Sequence, residues 1–425
     1  MMNENSTQPC SLVVVEDGGV TSARGFTAAG IHAGLRKDPT RFDLALLQSD
    51  ELCACAATFT TNVFCAAPVL VSREHLDEIN EGFARAVIIN SGNANAATGT
   101  KGLTAARTIC EYTAEVLGCA TEDVLVASTG VIGVHVPLDP FERALPLLRQ
   151  SLSCDGGHDA ARAIMTTDTF PKECAVTYVS EDPDFKGMEV TVGGMVKGSG
   201  MIMPDMATMI AVITTDAPLA PHTMHEALRG AVGRSFNKVT VDSDTSTNDT
   251  CIALASAQAP GALAGRVIEP LTQAAAEFAA ALDFVCIDLA RKIATDGEGA
   301  TCLVTVTVAG AFDEADADRA ARAVANSPLV KTAIFGHDAN WGRIAAALGK
   351  SGARFDQGSV SIDIMGLPVC RQGLTVAFDE EEALRRFEKK EIEIAVDLGQ
   401  GSAATTIWTC DFSHEYVSIN GDYRS

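Results

Sequence analysis

The stretch IEPLTQAAAEFAAALDFVCIDLARKIATDGEGATCLVTVTVAG, residues 268–310, joins two different hydrophobic patterns. Its first part predicts a long helix from about residue 270 to 294, ended by Gly297. The second part alternates, with Cys302, Val304, Val306 and Val308 on one face and Leu303, Thr305 and Thr307 on the other. This period of two predicts a half-buried antiparallel strand. Long helices mixed with alternating strands predict an α+β fold, in which helices are layered on antiparallel sheets.

The flanking segments continue this mixture. An apolar strand is expected at 86–89, before an Asn/Gly turn at 90–95, and a second strand is expected to break into a loop at Thr129-Gly130. Helical spacing after residue 104 ends at Gly118, a typical residue beyond a helix C-terminus. Three further expectations are a loop-rich segment at 25–34, a helix capped by Asp139 and kinked or split at Pro146, and a hairpin with its turn at 399–402.

Length and composition exclude several classes of protein. The chain has 425 residues, enough for two or three domains or one large layered unit. Its net charge of −23 argues against nucleic acid or an anionic membrane as a partner, since both require a basic surface. No apolar run approaches the ~18 residues of a membrane span. The N-terminal MMNENSTQPC does not resemble a signal peptide, and the 13 cysteines include no CxxC pair, so we expect reduced thiols in a cytoplasmic protein.

Three familiar site motifs can be set aside. The glycines at 198 and 200 lack the spacing of a phosphate-binding or dinucleotide-binding loop. The stretch DSDTSTNDT, residues 242–250, lacks the glycine and glutamate of a calcium loop and is better interpreted as a turn held by short polar side chains. No GxSxG nucleophile motif is present, and His337 is interpreted as a loop residue. No metal site is predicted.

The stretch KGSGMIMPDMATMIAVITTDA, residues 197–217, places one threonine, Thr208, inside an apolar run. One interpretation is a buried strand threonine whose hydroxyl bonds to the backbone. The other is a nucleophile. If the Ala207-Thr208 bond is cut through an N-to-O acyl shift, Thr208 gains an α-amine that can act as its base. The residues alone leave both interpretations open.

Many segments along the chain resemble, in the same order, the ornithine acetyltransferase family of arginine biosynthesis, also called glutamate N-acetyltransferase. They are GFTAAGIHAG, FTTN, AAPV, INSGNANAATG, STGVIG, TTDTFPKE, KGSGMIMPDMATM, SFNKVTVDSDTSTNDT, DGEGAT, LVKTAIFGHDANWGRI and YVSINGDYRS. The resemblance implies a layered α/β sandwich with mostly antiparallel sheets. It also implies self-cleavage into an α chain, residues 1–207, and a β chain, residues 208–425, associated as a heterotetramer.

The resemblance also assigns roles to individual residues. Thr208, freed by cleavage after Ala207, becomes the nucleophile, and Thr129 and Gly130 form the oxyanion hole. The implied substrate contacts are Thr167 or another threonine of TTDT, Lys197, Thr208, Glu298, Asn420 and Ser425. The implied reaction transfers an acetyl group from N2-acetyl-L-ornithine to L-glutamate without a metal or redox cofactor. Whether acetyl-CoA is a further co-substrate stays open.

Two departures from the family pattern lie near these residues. Asp205 stands where asparagine is usual, and Ser425 replaces a terminal threonine but keeps a hydroxyl. A carboxylate at 205 would alter self-cleavage. Two alternative functions therefore stay open. One is a related self-processed amidase or aminopeptidase that passes the acyl group to water. The other is an uncleaved binding protein.

Overall fold

The structure, a computed structural model, describes residues 10–203 and 209–422. Its strands are β1 (Val13–Val14), β2 (Phe26–Ile31), β3 (Leu44–Phe59), β4 (Phe83–Asn93), β5 (Val124–Val131), β6 (Lys172–Val179), β7 (Glu189–Lys197), β8 (Ile210–Thr215), β9 (Thr250–Ala255), β10 (Leu303–Ala311), β11 (Ser361–Ile364), β12 (Leu367–Arg371), β13 (Leu374–Thr375), β14 (Glu391–Asp397) and β15 (Ala403–Cys410).

Its α-helices are α1 (Ala67–Arg73), α2 (Gly99–Leu117), α3 (Asp139–Gln150), α4 (Gly157–Ile164), α5 (Pro221–Arg234), α6 (Gln273–Thr295), α7 (Glu314–Ala325), α8 (Pro328–Phe335), α9 (Trp341–Gly349), α10 (Glu380–Phe387) and α11 (His414–Asp422). A π-helical turn, Glu74–Ile79, extends α1. Within the described residues, no helix is both long enough and apolar enough to cross a lipid bilayer.

The strands form two sheets. The larger sheet has the order β1-β6-β7-β8-β9-β3-β4-β5, with β2 paired to β3. The smaller sheet has the order β13-β12-β11-β14-β10-β15. Pairing is antiparallel except for β8 with β9, β4 with β5 and β10 with β14. The predicted α+β fold with mostly antiparallel sheets is confirmed.

Helix α6 lies between the two sheets. It contacts β6 and β7 of the larger sheet and β10 and β15 of the smaller one. Its buried residues, including Phe278, Leu282, Val285 and Leu289, belong to the same apolar core as the inner strands β8 and β9. The buried residues of α6 recur every three or four positions, so the apolar periodicity of the 268–310 stretch marks the side of a long helix that packs into this core.

The predicted alternation after α6 is confirmed on one face, where Val304, Val306 and Val308 are fully buried in the core of the smaller sheet. The expected antiparallel pairing is only half right, because β10 pairs antiparallel with β15 and parallel with β14. The expected hairpin at 399–402 is therefore wrong. Strand β10 lies between β14 and β15, and a turn between consecutive strands does not ensure that they pair.

Three local predictions also change. Residues 26–31 form strand β2 rather than a loop, because their small side chains fit against α4 and β3. Asp139 is the first residue of α3 rather than its cap, and α3 continues past Pro146 to residue 150 as one helix. The predicted end of α2 is confirmed, since Gly118 adopts a left-handed φ of 69°.

Candidate active site

A cavity of about 130 Å³ contains six residues that the sequence assigned to the site. They are Thr129, Gly130, Thr167, Lys197, Glu298 and Asn420. These residues come from five separate parts of the chain: β5, the loop before β6, the end of β7, the loop after α6, and α11. Their convergence in one small cavity is the main geometric finding at this site.

Thr129 and Gly130 lie within strand β5, not in a loop as the sequence suggested. Thr129 pairs with Ser91 and Gly130 with Gly92 on the parallel neighbour β4. Gly130 has a φ of 134°, and a Cβ atom there would overlap the backbone of Gly92. Glycine is therefore required. The close approach of the two strands brings Thr129 and Gly130 to neighbouring positions in the cavity wall.

Lys197 is buried at the end of β7 and interacts electrostatically with the buried ion pair of Asp168 and Lys172. Burial lowers its pKa from the ordinary lysine value, although the nearby carboxylate of Asp168 partly opposes that shift. Asp168 accepts hydrogen bonds from Lys172 Nζ at 2.7 Å, Gly198 N–H at 2.7 Å and Thr166 N–H at 2.8 Å. Asp168 thus joins the TTDT loop to the residue after Lys197.

Glu298 also lines the cavity and lies in the loop after α6. Its N–H donates to the carbonyl of Ser199 at 2.9 Å, and Asn420 Nδ2 donates to its Oε2 at 2.8 Å. A Cβ atom on Gly200 would overlap the Glu298 carboxyl group. Gly200 therefore lets the chain pass close to a carboxylate, which accounts for this glycine without a phosphate.

Sequence reasoning missed the contribution of the polar loop at 242–250. Ser246, Thr247 and Asn248 line the cavity. Asn248 Nδ2 donates to the carbonyls of Ala94 at 2.6 Å and Ser128 at 2.8 Å, so it fixes the strand end that carries Thr129. The only signal was the density of short polar residues, which the sequence analysis attributed to turn formation.

Within the same loop, Asp242 accepts the backbone N–H groups of Met201 at 2.6 Å and Ile202 at 2.8 Å. Asp242 Oδ1 also accepts the N–H of Asp244 at 3.3 Å, and Ser246 Oγ accepts the N–H of Asn248 at 3.1 Å, which fits the expected turn held by short polar side chains. In residues 10–203 and 209–422 no group of three or more His, Cys, Asp and Glu side chains has a metal-binding arrangement. His337 lies in the turn after α8, as expected for a loop residue.

Four of the sequence assignments lie outside the described residues: Asp205, Ala207, Thr208 and Ser425. The chain leaves the described part at Met203 and returns at Met209. Met201, seven positions before Thr208, lines the cavity. Met209, directly after Thr208, donates its N–H to Asp249 Oδ1 at 3.0 Å.

Comparison with known proteins identifies the family. The model of the ArgJ family matches residues 27–425. The chain belongs to the ArgJ family. The arginine biosynthesis bifunctional protein ArgJ of Thermosynechococcus vestitus is 46% identical over 430 residues, covering 96% of this chain and 98% of that protein. The protein of the same name from Symbiobacterium thermophilum is 48% identical over 410 residues, covering 96% of this chain and 99% of that protein.

Among solved structures, the chain is similar to the ornithine acetyltransferase from Mycobacterium tuberculosis, crystallised with ornithine. The identity is 36%, the TM-score is 0.41, and the match covers 46% of this chain and 98% of that one. The sequence-based assignment to the ornithine acetyltransferase family is confirmed by the ArgJ family match and by the full-length relatives.

Proposed function

We propose that this member of the ArgJ family transfers the acetyl group of N2-acetyl-L-ornithine to L-glutamate through an acetyl-Thr208 intermediate. The observation that carries the proposal is the single cavity lined by Thr129, Gly130, Thr167, Lys197, Glu298 and Asn420. A cationic and an anionic side chain lie in one cavity beside a hydroxyl and a backbone amide. That combination suits acyl transfer between two charged amino acids.

The reaction has two steps. Thr208 Oγ attacks the acetyl carbonyl while the Thr208 α-amine accepts its proton, and the carbon–nitrogen bond breaks so that ornithine leaves with that proton. The amine of glutamate then attacks the ester, and Thr208 regains its hydroxyl as N-acetyl-L-glutamate departs. In both steps negative charge develops on the acetyl oxygen, where the Thr129 hydroxyl and the Gly130 N–H stabilise it.

The charges of the cavity suit both amino acids. Lys197 pairs with a substrate carboxylate, and Glu298, held by Asn420, pairs with the ammonium group of ornithine. Thr167 contributes a further hydroxyl on the same wall. A site with both signs of charge can hold a substrate with a cationic side chain and then one with an anionic side chain.

We further propose that the chain matures by cleavage between Ala207 and Thr208 into an α chain and a β chain, which assemble as a heterotetramer. The chemistry needs no metal or redox cofactor, because a threonine ester carries the acetyl group. A cytoplasmic location is supported by the 13 cysteines, which are all unpaired thiols, nine of them buried.

The test is the intact mass of the denatured protein beside Thr208→Ala, followed by an acetyl-transfer assay. We expect two chains that meet at 207/208 in the wild type, one chain in the variant, and N-acetyl-L-glutamate only from the wild type. A single uncut and inactive wild-type chain would refute the proposal and would implicate Asp205.

Two controls separate this reaction from its alternatives. Acetate release from N2-acetyl-L-ornithine without glutamate would instead support an amidase or aminopeptidase, an alternative that the family match does not favour. Incubation with acetyl-CoA and glutamate, without acetyl-ornithine, tests the further co-substrate. Product above the Thr208→Ala background would make acetyl-CoA a donor, and product at background would restrict the enzyme to recycling.

A further inference from the structure

The carboxyl group of Asp249 contacts Met209, the residue that follows Thr208. Its Oδ1 accepts the Met209 N–H at 3.0 Å, and the next residue, Thr250, donates its N–H to the Met209 carbonyl at 3.0 Å. Both polar backbone groups of Met209 are therefore held by the start of β9. Asp249 therefore restrains the backbone of the residue that directly follows Thr208.

Asp249 is fully buried, at the end of the polar loop that lines the cavity. Burial raises its pKa well above the ordinary aspartate value, against the opposing effects of the Met209 N–H, the Lys197 charge and the Ser246 side chain. Its second oxygen, Oδ2, is buried and has no hydrogen-bond partner among the described residues. Asp249 is thus a buried carboxyl group that hydrogen-bonds the residue directly after Thr208.

We propose that Asp249 is a positioning residue for the Thr208 nucleophile, holding the backbone of Met209, the residue that follows Thr208, against the start of β9. This inference rests on the proposed function, because Asp249 acts through Thr208 and takes no covalent part. Its electrostatic interaction with Lys197 connects the same group to the cavity wall. Reaction rates are sensitive to such restraints, since a shift of about 1 Å in a reacting group can cost roughly 100-fold.

Asp216 provides a matched control at the opposite end of β8. It is also buried, its Oδ1 accepts the N–H of Thr191 at 2.8 Å, and its Oδ2 accepts the N–H of Arg24 at 3.4 Å. Burial raises its pKa as well. Asp216 therefore shares residue type, burial and backbone contacts with Asp249 but does not contact Met209.

The experiment compares full-length Asp249→Asn, Asp249→Ala and Asp216→Ala with the wild type. Cleavage at 207/208 is followed by intact mass, acetyl transfer by kcat and KM, and folding by thermal unfolding. We expect Asp249→Ala to lower kcat of the cleaved enzyme by about 100-fold. Its KM should stay within about threefold of the wild type, since no direct substrate contact is lost. Asp249→Asn keeps a side-chain oxygen that can accept the Met209 N–H, and it should therefore retain kcat within about threefold of the wild type.

Asp216→Ala should lower the melting temperature and leave kcat unchanged. Wild-type kcat in folded Asp249→Ala, or a loss in folded Asp249→Asn equal to that in Asp249→Ala, would overturn the inference. If Asp249→Ala does not fold, Asp249→Ser, with a shorter acceptor, replaces it under the same criteria. An uncleaved, inactive wild type would refute the proposed function itself, which separates that failure from failure of this inference.

Discussion

At the scale of single residues, the cavity depends on a glycine that lets a carboxylate approach the backbone. Gly200 leaves room for the Glu298 carboxyl group, which Asn420 holds at 2.8 Å. In Gly200→Ala the new methyl group should displace Glu298 and raise KM for N2-acetyl-L-ornithine by about tenfold, the cost of one charged hydrogen bond. Gly233→Ala on α5, where a Cβ atom meets nothing within 4 Å, is the control. An unchanged KM in Gly200→Ala would remove Glu298 from ornithine recognition.

Lys197 leads to a prediction about pH. Because burial lowers its pKa, Lys197 loses its charge at a lower pH than an ordinary lysine, and affinity for a carboxylate ligand should fall as pH rises. N-acetyl-L-glutamate is a suitable probe, since it has no amine that titrates over this range. Calorimetric titrations from neutral to alkaline pH should show weakening binding. Lys197→Met should bind about tenfold more weakly with little pH dependence. Equal pH dependence in both proteins would assign the titration to another group.

The sequence could indicate these residues only through resemblance to a family. Thr129, Lys197 and Glu298 are chemically ordinary, and no spacing rule connects positions so far apart in the chain. Asp168 and Asn248 were missed because their importance comes from contacts between distant segments. A buried aspartate and a turn aspartate look alike in a sequence, since burial is a property of the fold.

At the scale of elements, Asp168 and Lys172 connect the loop before β6 to β7 and to the end of α6. Lys172 is fully buried and donates to Asp168 at 2.7 Å and to Asp296 at 2.5 Å. Burial alone would raise the pKa of Asp168, but the charges of Lys172 and Lys197 outweigh it and hold that pKa well below its ordinary value. Stability from this group is therefore complete above the ordinary aspartate pKa and is lost as pH falls through the lowered value.

Asp168→Asn should consequently reduce the free energy of unfolding by about 3–5 kcal/mol at neutral pH, because it leaves a buried lysine without one of its counter-charges. The deficit should shrink in acid, where the wild type loses the same interaction. Urea unfolding at neutral and acidic pH measures both effects. Asp184→Asn removes an exposed ion pair to Arg266 and should change stability by less than about 1 kcal/mol. A deficit in Asp168→Asn that does not depend on pH would contradict the assigned charge state.

Helices and strands differed in how far the sequence predicted them. The ends of α2 and α6 follow from local periodicity and termination, which depend on neighbouring residues. The order of strands does not. Strand β10 inserts between β14 and β15, and β5 continues through Thr129 and Gly130 because it pairs with β4. Such pairing is decided by contacts across long stretches of chain, to which local patterns are insensitive.

At the scale of the whole molecule, the larger sheet interleaves the two segments on either side of residue 208. Strands β8 and β9 belong to the C-terminal segment, yet they lie between β7 and β3 of the N-terminal segment. Strand β8 pairs with β7, from Thr215 with Val192 to Ile210 with Lys197. Strand β9 pairs with β3, from Ala255 with Ala54 to Thr250 with Phe59. Every residue of β8 and β9 is buried. Neither segment can complete the larger sheet or cover the core of that sheet alone.

Cleavage at 207/208 should therefore leave the two chains associated. Native mass spectrometry should give the same number of chain pairs for wild type and Thr208→Ala, with masses that differ only by the water added at each cut and by the smaller side chain of the variant. Denaturing conditions should release two chains from the wild type alone. The segment 208–425 expressed by itself should not form the native β8 and β9, because these two strands would expose both edges and most of their apolar surface. Recovery of either segment as a monomer with its strands of the larger sheet formed would contradict this interleaving. The native mass also gives the number of α/β pairs, since two pairs are expected for the proposed heterotetramer.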